Sequence, residues 1–320
     1  MIKIGIIGAD KPDAGELLRL LLNHPEVEVE TLFSPSLSGR QVSSCHHGFI
    51  GERIMNFTDR LDLSKLDVIF IADDSQTGRN VIEKALEMEQ LRVIDLSPGR
   101  FDDWSTMEME YGLSEINRKP LVRGARMAIV PTPIASLALI ALHPLATNLL
   151  LPSEISLTVV VPEGVAKLIE PKKVSEEIIR QLKHAQKSFD GNINMRIIPE
   201  GSGRTMKVIA TMACPLAIAE IDRIFNSIYD DHSFAFTSLS KVGGEEVEGT
   251  QKCIVSFCKP GAGLIEIEIV GDCHMRGGAG DALHAMNLLF ALHEKVGLNL
   301  KTSRFGDYRE ASSRQTSWFA

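Results

Sequence analysis

The stretch IKIGIIG at residues 2–8 decides the fold. An apolar run that ends in glycine is typical of a buried parallel strand followed by a tight turn. Leucines at helical spacing over residues 17–22 predict a helix that stops at Asn23, His24 and Pro25. Residues 27–33 are a second predicted strand and complete a strand–helix–strand unit.

The same alternation returns further along the chain. Residues 68–72 and 93–96 are predicted strands, and residues 78–90 between them are a predicted helix. Irregular sequence follows over residues 97–117 and includes Pro98, Gly99, Trp104 and Tyr111. Strands that alternate with helices predict an α/β fold with a Rossmann-like, doubly wound parallel sheet that binds ligands at the carboxyl ends of its strands.

The second half of the chain has a different pattern. Strands are predicted at residues 155–161, 205–212, 251–257 and 264–270, and helices at 174–189, 219–229 and 277–292. This grouping predicts a second, α+β domain whose sheet faces a partner. Residues 301–320 are polar and serine-rich, and they predict a loose tail ending in Trp318 and Phe319.

Composition narrows the class of protein. The chain has 320 residues, 44% of them hydrophobic and 24% charged, which is typical of a soluble globular protein with two domains. Its net charge of -8 disfavours nucleic acid as a partner but leaves room for a local basic pocket that holds a small phosphorylated metabolite. Prolines interrupt the most apolar stretch, residues 127–151, so we expect no membrane segment. The first strand begins so early that we expect no signal peptide.

The cysteines and histidines give no metal motif. The five cysteines have neither redox nor zinc spacing, and they predict free thiols in a reducing compartment, which places the protein in the cytoplasm; they are Cys45, Cys214, Cys253, Cys258 and Cys273. His46 and His47 are expected to be solvated on a loop rather than to bind a metal ion.

The turn after the first strand is a candidate phosphate site. It reads GADKPDAG at residues 8–15, and its candidate cofactor-binding residues are Gly8, Ala9, Asp10 and Lys11. Gly8 stands where such turns need glycine, whereas acidic residues weaken the pattern. The alternative interpretation is an ordinary helix start capped by Asp13.

The end of the second predicted strand bears on the choice of cofactor. NAD-specific folds place an acidic residue there, but this chain has Ser34, Ser38 and Arg40. Hydroxyl groups and an arginine suit a 2′-phosphate, so any dinucleotide is expected to be NADP. The alternative is a plain serine-rich loop.

Several motifs resemble N-acetyl-gamma-glutamyl-phosphate reductases, the third-step reductases of arginine biosynthesis, within the semialdehyde dehydrogenase group. VIDLSPGR at 93–100 resembles the family's VIDLSADF, and YGLSEINR at 111–118 resembles YGLPELNR. GTQKC at 249–253 resembles GTNFC, and RGGAGDALHAMNLLF at 276–290 resembles KGAAGQAVQNMNLM. The matches run in order along nearly the whole chain.

The resemblance implies an NADP-binding domain over residues 1–130 plus 276–320 and an α+β substrate and dimerisation domain over 131–275. It also implies that Gly277 and Gly278 lie near the nicotinamide end of the cofactor, and that the protein is a homo-oligomer, dimeric or tetrameric. The family uses a cysteine thiolate that forms a thioester, which NADPH then reduces.

The residues expected at the family's reaction centre differ in this chain. Pro133 stands at the position of the cysteine, in VPTPIAS against NPGCYPT. Met212 stands at the position of a histidine, and a second histidine motif is reduced to Arg196, Pro199 and Glu200. Arg196 and Glu200 are therefore the substrate-binding candidates, and Cys214 is a weak candidate for a replacement nucleophile.

Two hypotheses from different classes follow. The first is a non-catalytic family member that keeps the fold and binds NADP, a phosphorylated metabolite or an active relative. The second is an NADPH-dependent oxidoreductase whose thiol-independent chemistry acts on a small carboxylate or acyl substrate. The substituted positions are mostly apolar, which favours the first hypothesis.

Overall fold

The computed structural model describes residues 1–52, 55–97 and 109–303. The predictions made for Pro98, Gly99 and Trp104, and for the tail with Trp318 and Phe319, lie outside the described residues.

The first sheet is a six-stranded parallel sheet with the order β2-β1-β3-β4-β6-β5. Helices from the connecting segments pack around it. This architecture confirms the predicted Rossmann-like fold class. The strands and helices are β1 (Ile2–Ile7), α1 (Pro12–Leu21), β2 (Val27–Phe33), β3 (Val68–Ile71), α2 (Gln76–Leu86), β4 (Arg92–Asp95), β5 (Glu110–Tyr111), α3 (Ser114–Val122) and β6 (Met127–Ile129).

The second sheet is mixed and has the order β10-β11-β12-β9-β7-β8. The β7–β8 and β10–β11 pairs are parallel, and the other three pairs are antiparallel. Its elements and the last helix are α4 (Pro133–Thr147), β7 (Glu154–Val161), α5 (Glu163–Ala166), α6 (Pro171–Ala185), β8 (Asn192–Pro199), β9 (Thr205–Ala213), α7 (Ile218–Tyr229), β10 (Ala235–Ser238), β11 (Cys253–Cys258), β12 (Leu264–Asp272) and α8 (Ala279–Leu289).

Helices α4, α6 and α7 cover one face of the second sheet. Strand β9 shows the result, since Met206, Val208 and Ala210 are buried while Lys207 and Ile209 on the other face are only half-buried. That second face is open in the single chain. The predicted domain boundaries at residues 130 and 276 stay a prediction, but α8 packs against α1 and α3 of the first sheet's layer.

Seven of these elements were not predicted from the sequence, namely α3, α4, α5, β5, β6, β8 and β10, and β5 and the start of α3 lie within the stretch that was predicted to be irregular. Helix α4 has twelve buried residues and begins at a proline, so it lacks the polar stripe that reveals a surface helix. Strand β8 lies at the edge of its sheet, where burial is incomplete. Along the described ranges, no helix combines the length and the apolar character that crossing a membrane requires.

Candidate functional site

The phosphate turn lies between β1 and α1, at the carboxyl edge of the first sheet. Gly8 has a φ of +75°, and a Cβ atom there would lie 2.8 Å from the Cβ atom of Asp73, so glycine is required. The backbone N–H groups of Gly8 and Ala9 both donate to the carbonyl oxygen of Phe33 at the end of β2. The turn and the segment after β2 are therefore neighbours, as a dinucleotide site needs.

Helix α1 is not capped by Asp13, as the alternative interpretation of this turn had expected. Lys11 occupies the N-cap position without a side-chain cap, and Pro12 is the first helical residue. Asp13 lies one residue further inside the first turn, so the expectation that it caps the helix is corrected: Pro12, with its fixed φ and no N–H to satisfy, sets the start. Burial raises the pKa of Asp13, and the nearby His274 opposes this rise.

His46 is bound to the phosphate turn. Its Nε2 atom lies 2.7 Å from the carbonyl oxygen of Ala9, and its ring leaves no room for a side chain at Gly15. The expectation of a solvated His46 is therefore corrected, because the ring is half-buried between the turn and two phenylalanines, Phe49 and Phe57. Its neighbour His47 is exposed, as expected.

The segment after β2 carries the three residues predicted to bind a 2′-phosphate, and one of them is buried whereas two are exposed. Ser34 is buried, and its hydroxyl group lies 3.3 Å from that of Ser36. Ser38 and Arg40 are exposed on either side of Gly39, at the same edge as the phosphate turn. The exposed guanidinium group and hydroxyl group could meet a phosphate there, whereas Ser34 is turned into the protein.

A buried carboxyl group lies at the start of α4. Glu177 of α6 accepts hydrogen bonds from the Thr132 hydroxyl group at 2.7 Å, from the Thr132 N–H at 3.2 Å and from the Tyr111 hydroxyl group at 2.7 Å. Burial raises the pKa of Glu177 to about 7, although these three donors favour the charged form. Sequence reading missed this residue, because it treated α6 as an amphipathic helix with exposed lysines. The available signal was an acid on the helix face that carries Val174 and Ile178.

The chain before α8 packs directly onto the start of α4. Gly277 has a φ of +70°, and a Cβ atom there would lie 2.3 Å from the Cα atom of Pro133. At Gly278 a Cβ atom would lie 2.5 Å from the carbonyl oxygen of His274. These two predicted cofactor residues are therefore close to Pro133, and both are glycines for steric reasons.

A buried ionic cluster lies behind this contact. Arg276, fully buried, pairs with Glu115 at 2.7 Å and with Asp281 at 3.2 Å. Burial raises the pKa of Asp281, whose carboxylate accepts hydrogen bonds from Ser136 and from the Gly277 N–H. In Glu115 burial is the largest influence and acts to raise the pKa, but the charge and hydrogen bond of Arg276 together with the nearby His284 and His232 outweigh it and lower the pKa.

The same cluster has the composition of a metal site. The ligand atoms of Glu115, Asp281 and His284 all lie within 4.8 Å of one another. The guanidinium group of Arg276 already contacts both carboxylates, so it supplies the positive charge that a metal ion would bring. The cluster is therefore best described as structural.

Comparison with known proteins identifies the family. Residues 3–123 match the sequence model described as semialdehyde dehydrogenase, NAD binding domain. The N-acetyl-gamma-glutamyl-phosphate reductase of Parabacteroides distasonis is 32% identical over 325 residues, covering 95% of this chain and 100% of the relative. That of Bacteroides thetaiotaomicron is 33% identical over 327 residues, with the same coverage. The chain belongs to the N-acetyl-gamma-glutamyl-phosphate reductase family.

Solved structures of semialdehyde dehydrogenases share the fold. Aspartate semialdehyde dehydrogenase II from Vibrio cholerae, in complex with ASA, superposes with a TM-score of 0.69 at 12% identity, covering 91% of this chain and 98% of that one. Aspartate semialdehyde dehydrogenase from Candida albicans, with NADP, gives a TM-score of 0.69 at 12% identity, covering 92% and 99%. At this identity the likeness shows the fold alone, and that fold agrees with the one that the sequence resemblance implied.

Within this reductase fold, Met212 does not approach Pro133. Strand β9 begins near the amino end of α4, because Gly271, which pairs with Met206, approaches Leu137 in the second turn of that helix. Met212 lies six residues further along β9, which corresponds to about 20 Å of extended strand. This corrects the expectation that the two positions face one reaction centre.

Cys214, like Met212, lies far from the start of α4. It follows the end of β9, and its N–H donates to the carbonyl oxygen of Gly263. The side chain is buried, and its own carbonyl oxygen accepts a hydrogen bond from Lys259 at 2.6 Å. Strand β9 therefore places Cys214 away from the start of α4, and its role as a replacement nucleophile stays a weak prediction.

The two substrate-binding candidates lie on the outside. Arg196 is exposed on the edge strand β8, and Glu200 is exposed just beyond its end. The N–H of Glu200 donates to the carbonyl oxygen of Val161 at the end of β7. Their role in substrate binding stays a prediction.

Proposed function

We propose that this chain is a member of the N-acetyl-gamma-glutamyl-phosphate reductase family that does not carry out thioester-forming reduction. The observation that carries the proposal is Pro133 as the first residue of α4, the position that matches the family's cysteine in the sequence motif. Proline has no nucleophile and no backbone N–H, so it can neither attack an acyl phosphate nor stabilise the resulting oxyanion.

The cysteines of the chain support this proposal. All five are free thiols, as a cytoplasmic location would favour. Burial raises the pKa of Cys253 and of Cys273 to about 12. Burial also raises the pKa of Cys45 and Cys258, with Asp10 and Glu266 adding to the respective effects. A catalytic thiol needs the opposite setting, one that favours the thiolate.

We further propose that the chain binds NADP, a dinucleotide whose reduced form would supply a hydride. The left-handed Gly8 turn and the exposed Ser38 and Arg40 share one edge of the sheet, which fits a dinucleotide with a 2′-phosphate. At the turn that would hold the pyrophosphate, Asp13 adds negative charge and Pro12 offers no backbone N–H donor, so binding of the pyrophosphate there should be weak. Arg40, which would contact the 2′-phosphate, is therefore expected to contribute more of the affinity for NADP. Gly277 and Gly278 would approach the nicotinamide end.

A homo-oligomer is also proposed. The open face of the second sheet carries half-buried Ile209 and Ile254, which would be covered in an assembly. At its centre Lys207 and Glu268 are already paired, at 3.2 Å. A second copy would therefore bury this central pair without separating its charges. Analytical ultracentrifugation of the wild type and of Ile209→Glu tests this, and a wild type that stays monomeric overturns it.

One observation favours the alternative, thiol-independent oxidoreductase. Glu177 has a pKa of about 7 and lies beside the start of α4, which suits a residue that exchanges protons near neutral pH. Steady NADPH oxidation with small aldehydes or acyl compounds, lost in Glu177→Gln, would establish that function. It would also overturn the non-catalytic proposal.

Two measurements test the main proposal separately. NADPH oxidation with N-acetyl-gamma-glutamyl phosphate should stay at background, and turnover would refute the loss of the reaction.

A thermal melt with NADPH at 100 times its dissociation constant should show about 2.7 kcal/mol of stabilisation. Arg40→Ala should weaken NADPH binding and leave NADH binding unchanged, whereas the exposed Arg60→Ala serves as the matched control. No stabilisation by NADPH would refute cofactor binding alone.

A further inference from the structure

Thr132 and Glu177 form a hydroxyl–carboxylate pair at the start of α4. The Thr132 hydroxyl group donates to Oε2 of Glu177 at 2.7 Å. The other oxygen, Oε1, accepts from the Thr132 N–H at 3.2 Å and from the Tyr111 hydroxyl group at 2.7 Å. Glu177 is 3% exposed, whereas Thr132 is only half-buried. A buried carboxylate is therefore bonded to a hydroxyl group that is partly open to solvent.

Helix α4 begins without the usual side-chain cap. Thr132 occupies the N-cap position, where a threonine hydroxyl group ordinarily accepts a hydrogen bond from an N–H group of the first turn. Here the hydroxyl group makes no such bond, because it donates to Glu177 instead. Pro133 has no N–H, so the first-turn N–H groups without an intrahelical partner are those of Ile134 and Ala135. They add a positive potential beside the Thr132 hydroxyl group.

Separate parts of the fold hold the pair in place. Tyr111 belongs to β5 of the first sheet and Glu177 to α6 of the second domain. On the chain before α8, a Cβ atom at Gly277 would lie 2.5 Å from the carbonyl carbon of Thr132, so backbone packs directly on the segment that carries the hydroxyl group. A hydroxyl group, a base bonded to it and a third group that orients the base are the arrangement that activates a nucleophile.

We propose that Thr132 is a nucleophile that accepts the acyl group of an uncharged carboxylic ester or thioester, with Glu177 as its general base. The Thr132 oxygen bonds to the acyl carbon as its proton passes to the Glu177 carboxylate. The bond from that carbon to the leaving oxygen or sulfur then breaks, and the leaving group takes the proton from Glu177. The product is an ester on Thr132, and nothing is oxidised or reduced.

Water completes the reaction. Glu177 takes a proton from a water molecule as the water oxygen bonds to the acyl carbon, and it returns the proton to Thr132 as the ester bond breaks. The net reaction is hydrolysis to a carboxylic acid and an alcohol or thiol. This activity goes beyond the proposed function, because it uses neither a cysteine nor NADPH. It is also compatible with the loss of thioester-forming reduction.

The substrate class follows from the charges at the pair. Glu177 is negative when it acts as a base, so an anionic group such as an acyl phosphate would be repelled there. The N–H groups of the first turn of α4 can offset the single negative charge that develops on an acyl oxygen. Phosphoryl transfer develops charge on several oxygens and needs cationic side chains or a metal ion. The pair therefore suits an uncharged acyl group.

Hydrolysis of p-nitrophenyl acetate by the full chain tests the proposal. We expect release of p-nitrophenolate, and after an acid quench the intact mass should show an added acetyl group that peptide mapping places on Thr132. Thr132→Val should abolish the release above background, whereas Thr132→Ser should retain it. The matched control is Thr147→Val, which removes an exposed threonine at the other end of α4 and should leave the rate unchanged.

The pH profile tests the role of Glu177 as the base. Burial raises its pKa to about 7, although Tyr111, Thr132 and Arg180 all favour its charged form. Only the charged form accepts a proton, so the Thr132-dependent rate should rise with pH and reach a plateau above about pH 7. Glu177→Gln should slow the reaction by about 100-fold or more and remove this rise.

Three results would overturn the proposal. They are release of p-nitrophenolate that Thr132→Val leaves unchanged, an acetyl group found only on other residues, and a Glu177→Gln chain that reacts as fast as the wild type. Circular dichroism checks that each variant folds, and if Glu177→Gln does not, a wild-type rate without a rise near pH 7 refutes the role of the carboxylate. NADPH is absent from these assays, so their failure leaves the tests of the proposed function unaffected.

Discussion

The hydroxyl group of Thr132 donates a 2.7 Å hydrogen bond to the buried carboxyl group of Glu177, one residue before α4 begins at Pro133. Tyr111 donates a second hydroxyl to the same group. A single acid on α6 therefore ties together the first sheet, the start of α4 and the second domain. Because this acid is buried, its charge state is linked to the stability of the fold.

Replacing Glu177 with Gln should remove a pH dependence of stability. Its pKa rises from 4.5 in the unfolded chain to about 7 in the fold, so its contribution to stability is full below pH 4.5 and is lost as the pH rises to about 7. The loss amounts to about 3 kcal/mol at most. Urea unfolding from pH 4.5 to 8 should show a flatter profile for Glu177→Gln than for the wild type.

The control for this prediction is the adjacent Glu176→Gln. Glu176 is exposed and contacts Lys172 at 3.9 Å, so its substitution should leave the wild-type profile unchanged. Equal pH profiles for Glu177→Gln and the wild type would show that the buried carboxyl group does not titrate in this range.

Sequence reasoning found some parts of the site and missed others for a physical reason. Gly8 and Arg40 could be proposed from the sequence because turns and strand ends leave a local signature. Glu177 and its partners Tyr111 and Thr132 were missed, since they come from three distant segments and only tertiary packing brings them together. Met212 was placed at the reaction centre by motif matching alone, and the direction of β9 could not be known from that motif.

Gly277→Ala should destabilise the protein far more than Gly39→Ala, although both glycines have a left-handed backbone conformation. Gly277 and Gly39 both have positive φ, +70° and +81°, so each substitution carries a strain of about 1 kcal/mol. Only at Gly277 would the new Cβ atom also strike backbone, 2.3 Å from the Cα atom of Pro133, whereas nothing lies within 4 Å at Gly39. Thermal melts should show a much larger loss for Gly277→Ala, and equal losses would show that the α4 contact can relax.

Arg276→Met should destabilise the protein by about 3–5 kcal/mol, because it leaves Glu115 and Asp281 buried without a counter-charge. Adding Glu115→Gln and Asp281→Asn removes those charges and should restore part of the loss. Urea unfolding measures both effects, with the exposed Arg196→Met as the control. If the triple variant is no more stable than Arg276→Met alone, then Arg276 does not stabilise the fold by balancing the two carboxylate charges.

The fold was easier to predict than the site. The parallel strands β1 and β3 are largely apolar runs, and their type follows directly from burial on both faces. The buried helix α4 was read only as an interrupted apolar stretch, because Pro133 and Pro144 within it suggested a break. In the structure Pro133 starts the helix, where its missing N–H costs nothing, and Pro144 is accommodated near the carboxyl end.

Arg204→Met should weaken the fold at neutral pH and change how it responds to acid. Burial tends to raise the pKa of Glu16, but hydrogen bonds from Arg204 and Arg19 outweigh burial and lower it from 4.5 to about 2. The ion pair thus adds stability above pH 4.5, and this stability is lost as the pH falls toward 2. Without Arg204, about 2 kcal/mol should disappear at pH 7, and the two chains should converge in stability at low pH. Unfolding by urea between pH 2.5 and 7, with Arg223→Met on the exposed side of α7 as the control, measures this. A constant difference between Arg204→Met and the wild type across that range would mean that Arg204 acts by packing rather than through its charge.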